Sequence, residues 1–97
     1  MNQTRLESDE LRLRAQLARS LTRAITSQSL NQNQAADVLG VHHSTVSNLV
    51  HGRVSGYSTD RLIRYLRQLG CDVQVTVRSF PNAGGRGRLE IVAPMEA

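Results

Sequence analysis

The chain contains no lysine and no tryptophan, and its 97 residues include one phenylalanine, two tyrosines, two prolines and one cysteine. A lone Cys71 excludes an internal disulfide framework and gives no sign of an oxidising compartment. So few aromatic rings disfavour the stacking platforms on which single-stranded nucleic acids are usually held. No apolar stretch approaches the roughly 20 residues of a membrane span. The opening run MNQTRLESDELR lacks the apolar segment of a signal peptide. The expectation is a soluble, cytoplasmic protein with no membrane partner, and a chain long enough for one small domain with a single modest core.

The formal charge is +4, and every one of the twelve cations is arginine. Residues 1–28 carry five Arg against three acids, residues 29–70 four against two, and residues 71–97 three against three. A basic helical part followed by a neutral tail suits a polyanion reader with a separate assembly element. Arginines that only solubilise the surface would give the same balance, so charge supports a motif here and does not replace one.

The motif lies in LNQNQAADVLGVHHSTVSNLVHG, Leu30 to Gly52. Asn31 is a good N-cap, and Ala35, Val38 and Leu39 fall at helical spacing on one face. Gly40 stands where a left-handed residue ends a helix, and Val41 can plug the corner. A second helix is expected from about His43 to His51, with Val46 and Leu49 facing inward and Gly52 ending it. Two helices joined by so short a turn nearly touch. Ala36, four residues before Gly40, supplies the small side chain that such a crossing needs. Ala36, Gly40, Val46 and Leu49 together form the core pattern of a helix-turn-helix; an ordinary helical hairpin is the blander alternative.

Around this unit, residues 1–7 read as a flexible N-terminus. A first helix is expected from about Ser8 to Ser27, with Asp9 and Glu10 in its first turn and Glu10 able to pair with Arg14. Leu13, Leu17, Leu21, Ala24 and Ile25 form its buried stripe. RVSGYS reads as a loop, after which Ser58 caps a fourth helix with a Tyr57–Leu62 staple. Leu62, Leu66 and Leu69 line its inner side, flanked by Ile63 and Tyr65, and Gly70 ends it. Arg61, Arg64 and Arg67 form an outer, solvated stripe, of which the members near the helix start could touch phosphate.

Composition then changes. CDVQVTVR alternates Val73, Val75 and Val77 with polar residues, the period of a half-buried strand, and RLEIVA alternates again beyond a glycine-rich break at 81–87. A strand needs partners for its backbone groups. Strands 72–78 and 88–93 could form a long-looped hairpin, or strand 72–78 could pair with its own copy across a two-fold axis; the dimeric sheet is favoured. The expected fold is mainly α. A four-helix domain over 8–70 carries the helix-turn-helix, a β-strand assembly element spans 71–93 with one or two strands building a dimeric antiparallel sheet, and 94–97 is a loose tail.

Leu30 to Gly52 resembles the phage-repressor-like (Xre) helix-turn-helix family, whose members often open with a leucine-polar-glutamine run like Leu30-Asn31-Gln32. The longer order GVHHSTVSNLVHGRVSGYSTDRLIRYLRQLGCDVQVTVR resembles the host-inhibition-of-growth (HigA-type) antitoxin-like regulators. The shared pieces are the helix start Ser58 to Leu62 and the Gly70 to Val77 strand. The resemblance covers about Ser8 to Arg78. It implies a sequence-specific, double-stranded-DNA-binding homodimer that represses its own operon and, in many relatives, silences a ribonuclease-type toxin. Two departures stand out. His42 occupies the capping place that Ser, Thr or Asp commonly fills, and His43-Ser44-Thr45 replaces the Gln or Pro-Arg that often opens the recognition helix, so base preference does not carry over.

On this reading His43, Ser44, Thr45, Ser47 and Asn48 lie on the half of the recognition helix that enters the major groove. Two or three of them would read bases, with Asn48 the best match to adenine. Gln32, Asn33, Arg53 and Ser55 are the candidates for phosphate. A dimer would read a roughly palindromic operator with half-sites about one turn, ~34 Å, apart. The three histidines point in different directions and make a poor zinc set. A Ser44–His42–Asp37 triad lacks any oxyanion loop. No enzyme, metal or cofactor is therefore expected. A stand-alone repressor with no toxin partner is the alternative to the antitoxin, and an adaptor that kept the fold without DNA binding is a more distant one.

Overall fold

Apolar residues recur at steps of three and four in four segments, and four helices form there. The computed structural model describes the backbone of residues 2–79 and 85–92, and the side chains of 8–79 and 85–92. Helix α1 runs Asn2–Ser27, α2 Gln32–Leu39, α3 His43–Val50 and α4 Thr59–Gln68. Helix α1 packs along α4 and across α3, and α2 packs on α3 and, less extensively, on α4. The largest fully buried side chains are Leu17, Leu21, Val46 and Leu62, so α1, α3 and α4 meet at one centre.

The end of α1 and the bounds of α2, α3 and α4 lie within a residue of those expected from the sequence. The start of α1 does not. Residues 2–7 contain no Gly or Pro and include good helix formers, so the helix begins at Asn2 rather than near Ser8. Its first turn consequently holds no acidic residue. Asp9 pairs with Arg12, and among the described residues the expected Glu10–Arg14 pair does not form. Two core assignments also shift. Val38, expected on the inward face of α2, is 46% exposed, whereas Ala35, Ala36 and Leu39 are buried. Tyr65, expected at the flank of α4, is buried.

All four helices end by the same device. In α2 the N–H of Val41 donates to Ala36 O (3.0 Å) and that of Gly40 to Asp37 O (3.3 Å), with Gly40 left-handed at φ 69°. This is the paired 6→1 and 5→2 closure that satisfies the last carbonyls of a helix. Arg53 and Gly52 close α3 in the same way onto Asn48 O and Leu49 O, and Cys71 and Gly70 close α4 onto Leu66 O and Arg67 O. Helix α1 closes through Leu30 N–H to Ile25 O and Ser29 N–H to Thr26 O. Here the left-handed position, φ 59°, is occupied by Ser29 and not by glycine. Two glutamines then fasten helix ends across the domain: Gln28 Nε2 donates to Leu69 O (2.6 Å) and Gln68 Nε2 to Leu39 O (3.3 Å).

Within the chain, the expected C-terminal strands do not form among the described residues. Among the described residues neither 72–78 nor 88–92 belongs to a strand ladder, so the intrachain hairpin is corrected to irregular chain. Cys71, Val73 and Ile91 still rest on the core as half-buried residues. The physical reason is that the surface beneath them is helical: its amides are satisfied within the helices, so it offers apolar contact but no backbone edge. Of the glycine-rich break at 81–87, residues 81–84 lie outside the described residues, as do the strand's last position, 93, and the tail at 94–97. No helix among the described residues is long and apolar enough to cross a membrane.

A left-handed backbone disfavours any residue with a Cβ, while a Cβ at Gly40 would meet nothing within 4 Å. Ser29→Gly should therefore raise stability by about 1 kcal/mol and Gly40→Ala lower it by about the same amount. Urea unfolding checks both; equal signs for the two substitutions would contradict the assignment.

Candidate nucleic-acid interface

The site begins with two caps. Asn31 Oδ1 accepts from the Gln34 N–H (2.8 Å), and Gln34 Oε1 accepts from the Asn31 N–H (2.9 Å), a reciprocal capping box. The first-turn amides of Gln32 and Asn33 have no acceptor within the helix, and both residues are exposed. At the start of α3, His42 performs the capping role itself. Its backbone is extended, and its Nδ1 accepts from the Ser44 N–H (3.2 Å) with Ser44 Oγ 2.9 Å away. Acceptance at Nδ1 requires the imidazole tautomer protonated on Nε2. The His42 and His43 rings lie 4.3 Å apart between centroids, tilted by 33°.

Between the caps, Val46 and Leu49 of α3 are 1% and 3% exposed, and Ala36 of α2 is 4% exposed beneath the crossing. Burying one side of a short helix aims the other outward. His43 and Ser44 are exposed, and Thr45, Ser47 and Asn48 are half-buried. Arg53 and Ser55, on the loop that follows, are exposed, and Val54 between them is buried and pins that loop to the core. The fold thus places the base-reading candidates on one helix, with Gln32 and Asn33 at the start of α2 and Arg53 and Ser55 in the loop after α3.

Asn48 differs from its neighbours because both ends of its carboxamide are engaged. Nδ2 donates to Tyr57 Oη (3.3 Å), and Oδ1 accepts from Arg53 Nη1 (3.0 Å). The connection continues into α4. The Arg61 guanidinium lies over the rings of Tyr57 (5.0 Å) and Tyr65 (5.6 Å), and its Nε donates to Tyr65 Oη (2.6 Å). Arg61 is therefore a half-buried brace and not part of a solvated stripe. His51 is engaged as well, with Nδ1 2.7 Å from Ser47 O at the end of α3. Among the described residues no three His, Cys, Asp or Glu side chains gather as a metal set.

Sequence reasoning missed the capping role of Gln34 and the polar bonding of Tyr57 and Arg61, which it placed in a hydrophobic staple and on a solvated stripe. The first was legible, since Asn31-x-x-Gln34 is a capping-box spacing. The other two act through contacts made between elements, and Asn48 to Tyr57 leaves no periodic trace. If the Asn48–Tyr57 bond carries energy, Tyr57→Phe should cost about 0.5–1.5 kcal/mol in the wild-type background. It should cost distinctly less beside Asn48→Ala. Strictly additive losses in urea unfolding would show that the contact contributes nothing.

Comparison with known proteins agrees with this geometry. A family model described as a helix-turn-helix domain matches residues 4–78. A solved protein described as an XRE family transcriptional regulator superposes with a TM-score of 0.83 at 31% identity, covering 91% of this chain and 99% of its own. No curated protein matches the chain.

Proposed function

The chain belongs to the helix-turn-helix domain family, and from that premise we propose that it is a sequence-specific, double-stranded-DNA-binding transcriptional regulator that acts as a homodimer. The observation that carries this reading is the outward polar face of α3, held there by the burial of Val46 and Leu49. Helix α3 enters the major groove, His43, Ser44, Thr45 and Ser47 meet base edges, and Gln32, Asn33, Arg53 and Ser55 hold phosphates. Asn48 reads a base only after releasing an internal partner. Arg53 is the natural one to leave: moved to a phosphate, it frees Asn48 Oδ1 to accept from an adenine N6 amino group. Phosphate binding and base reading are thereby linked through one arginine. Occlusion of a promoter by the bound dimer accounts for repression.

The fuller proposal is an autorepressing antitoxin. Its support is the resemblance of the run from Gly40 to Arg78 to HigA-type regulators. An apolar groove of roughly 690 Å³ between α1 and the C-terminal end of α3 adds to it. Ala15, Ala18, Leu49 and Val50 line the groove, and Arg19 and Arg23 lie beside it. A ribonuclease-type toxin would be the second protein partner. Growth rescue on co-expression with the neighbouring open reading frame tests this part alone; a harmless neighbour leaves a stand-alone repressor.

Selection of bound duplexes from a random pool at two salt concentrations tests the DNA reading. A palindromic motif should emerge, and if six to ten phosphates are contacted, affinity should fall by about three to five decades between about 50 and 200 mM salt. Arg53→Ala should lower the salt slope by about one. An unenriched pool with a flat salt response would refute the reading.

A further inference from the structure

Segment 72–78 leaves the domain with an unequal distribution of its valines. Val73 is half-buried on the helical core, while Val75 and Val77 are 80% and 89% exposed. In an extended chain all three share one face, so a single apolar row begins on the core and runs out into water. Among the described residues nothing in the same chain forms a ladder with it.

The sequence of this segment is complementary to itself reversed. With an antiparallel copy centred on Val75, Asp72 stands opposite the partner's Arg78, Val73 opposite the partner's Val77, Gln74 opposite the partner's Thr76, and Val75 opposite the partner's Val75. Asp72 and Arg78 are the only charged residues between 71 and 79, and this register joins both of them twice across the two-fold axis. A centre at residue 74 or 76 breaks the ion pairs and leaves one end valine without a counterpart. A centre between residues sets valines against polar side chains, because opposed residues share a face.

We infer that 72–78 is a self-pairing strand that forms only on dimerisation, with a second copy of this chain as its occupant and Val75 on the symmetry axis. The inference rests on the homodimer proposed above and specifies its surface. Each exposed Val77 is brought beside the partner's Val73, which already lies on the partner's core, so the row left in water on one protomer is completed on the other. The unpaired backbone groups are satisfied in the same step. A strand from a foreign protein would need no palindrome of charge in this chain; pairing with its own copy does.

Sedimentation equilibrium of the full chain without DNA tests the inference. The wild type should dimerise. Asp72→Arg and Arg78→Asp should each weaken dimerisation by about tenfold or more, by setting like charges opposite one another. The double exchange D72R/R78D should restore it. In a Cys71→Ser background, Val75→Cys should cross-link to itself on mild oxidation, whereas Val73→Cys and Val77→Cys alone should not. A double exchange no tighter than the singles, or self-cross-linking at 73 or 77 in preference to 75, overturns the register even where the protein is dimeric. A wild type that stays monomeric overturns the inference altogether. A dimer that passes these tests but enriches no duplex leaves the register standing and removes the DNA reading.

Discussion

Burial of two residues on α3 sets the rest. The helix has eight residues, shorter than an isolated helix can be and persist in water. It exists because Val46 and Leu49 enter the cluster built by Leu17, Leu21 and Leu62, and because both its ends are closed. Ala36 permits the approach of α2, and the left-handed turn at Gly40 sets the crossing. Once those contacts are made, the direction of His43, Ser44 and Ser47 is no longer adjustable, so the polar face of α3 is a rigid consequence of core packing.

The second constraint is the polar brace from Arg53 through Asn48, Tyr57 and Arg61 to Tyr65. It connects α3 to the following loop and to α4. Asn48, the side chain best suited by chemistry to adenine, doubles as a structural strut. If Arg53 is the group that meets phosphate, as proposed, docking on the backbone would be coupled to reading of the base, since Arg53 also holds the carboxamide.

The helical half of the fold was legible because its signals are local. Asn31, Ser58, Gly40, Gly52 and Gly70 mark ends, and leucines at steps of three and four mark the buried side. The misassignments arose where local signals are silent or ambiguous. Residues 2–7 carry no stop signal and continue the helix. Val38 is apolar and falls at helical spacing, and only the crossing angle leaves it outside the contact. The alternation of 72–78 specifies a strand face but not its partner, and within one chain there is none among the described residues. Ser29 shows the limit from the other side: it adopts the left-handed turn without the glycine that would announce it. Of the candidate site, the exposure of His43 and Ser44 on α3 follows from its apolar spacing, while the internal engagement of Asn48 depends on Tyr57, nine residues away in the loop before α4.

The most direct test of the central claim is residue-resolved. Backbone amide resonances followed by NMR while a cognate or selected duplex is added would report which face meets DNA. The account predicts the largest perturbations at 32–33, at 43–48 and at 53–55, with the groove between α1 and the end of α3 little affected. Perturbations concentrated in that groove or along 72–78, with the outer face of α3 unmoved, would contradict it.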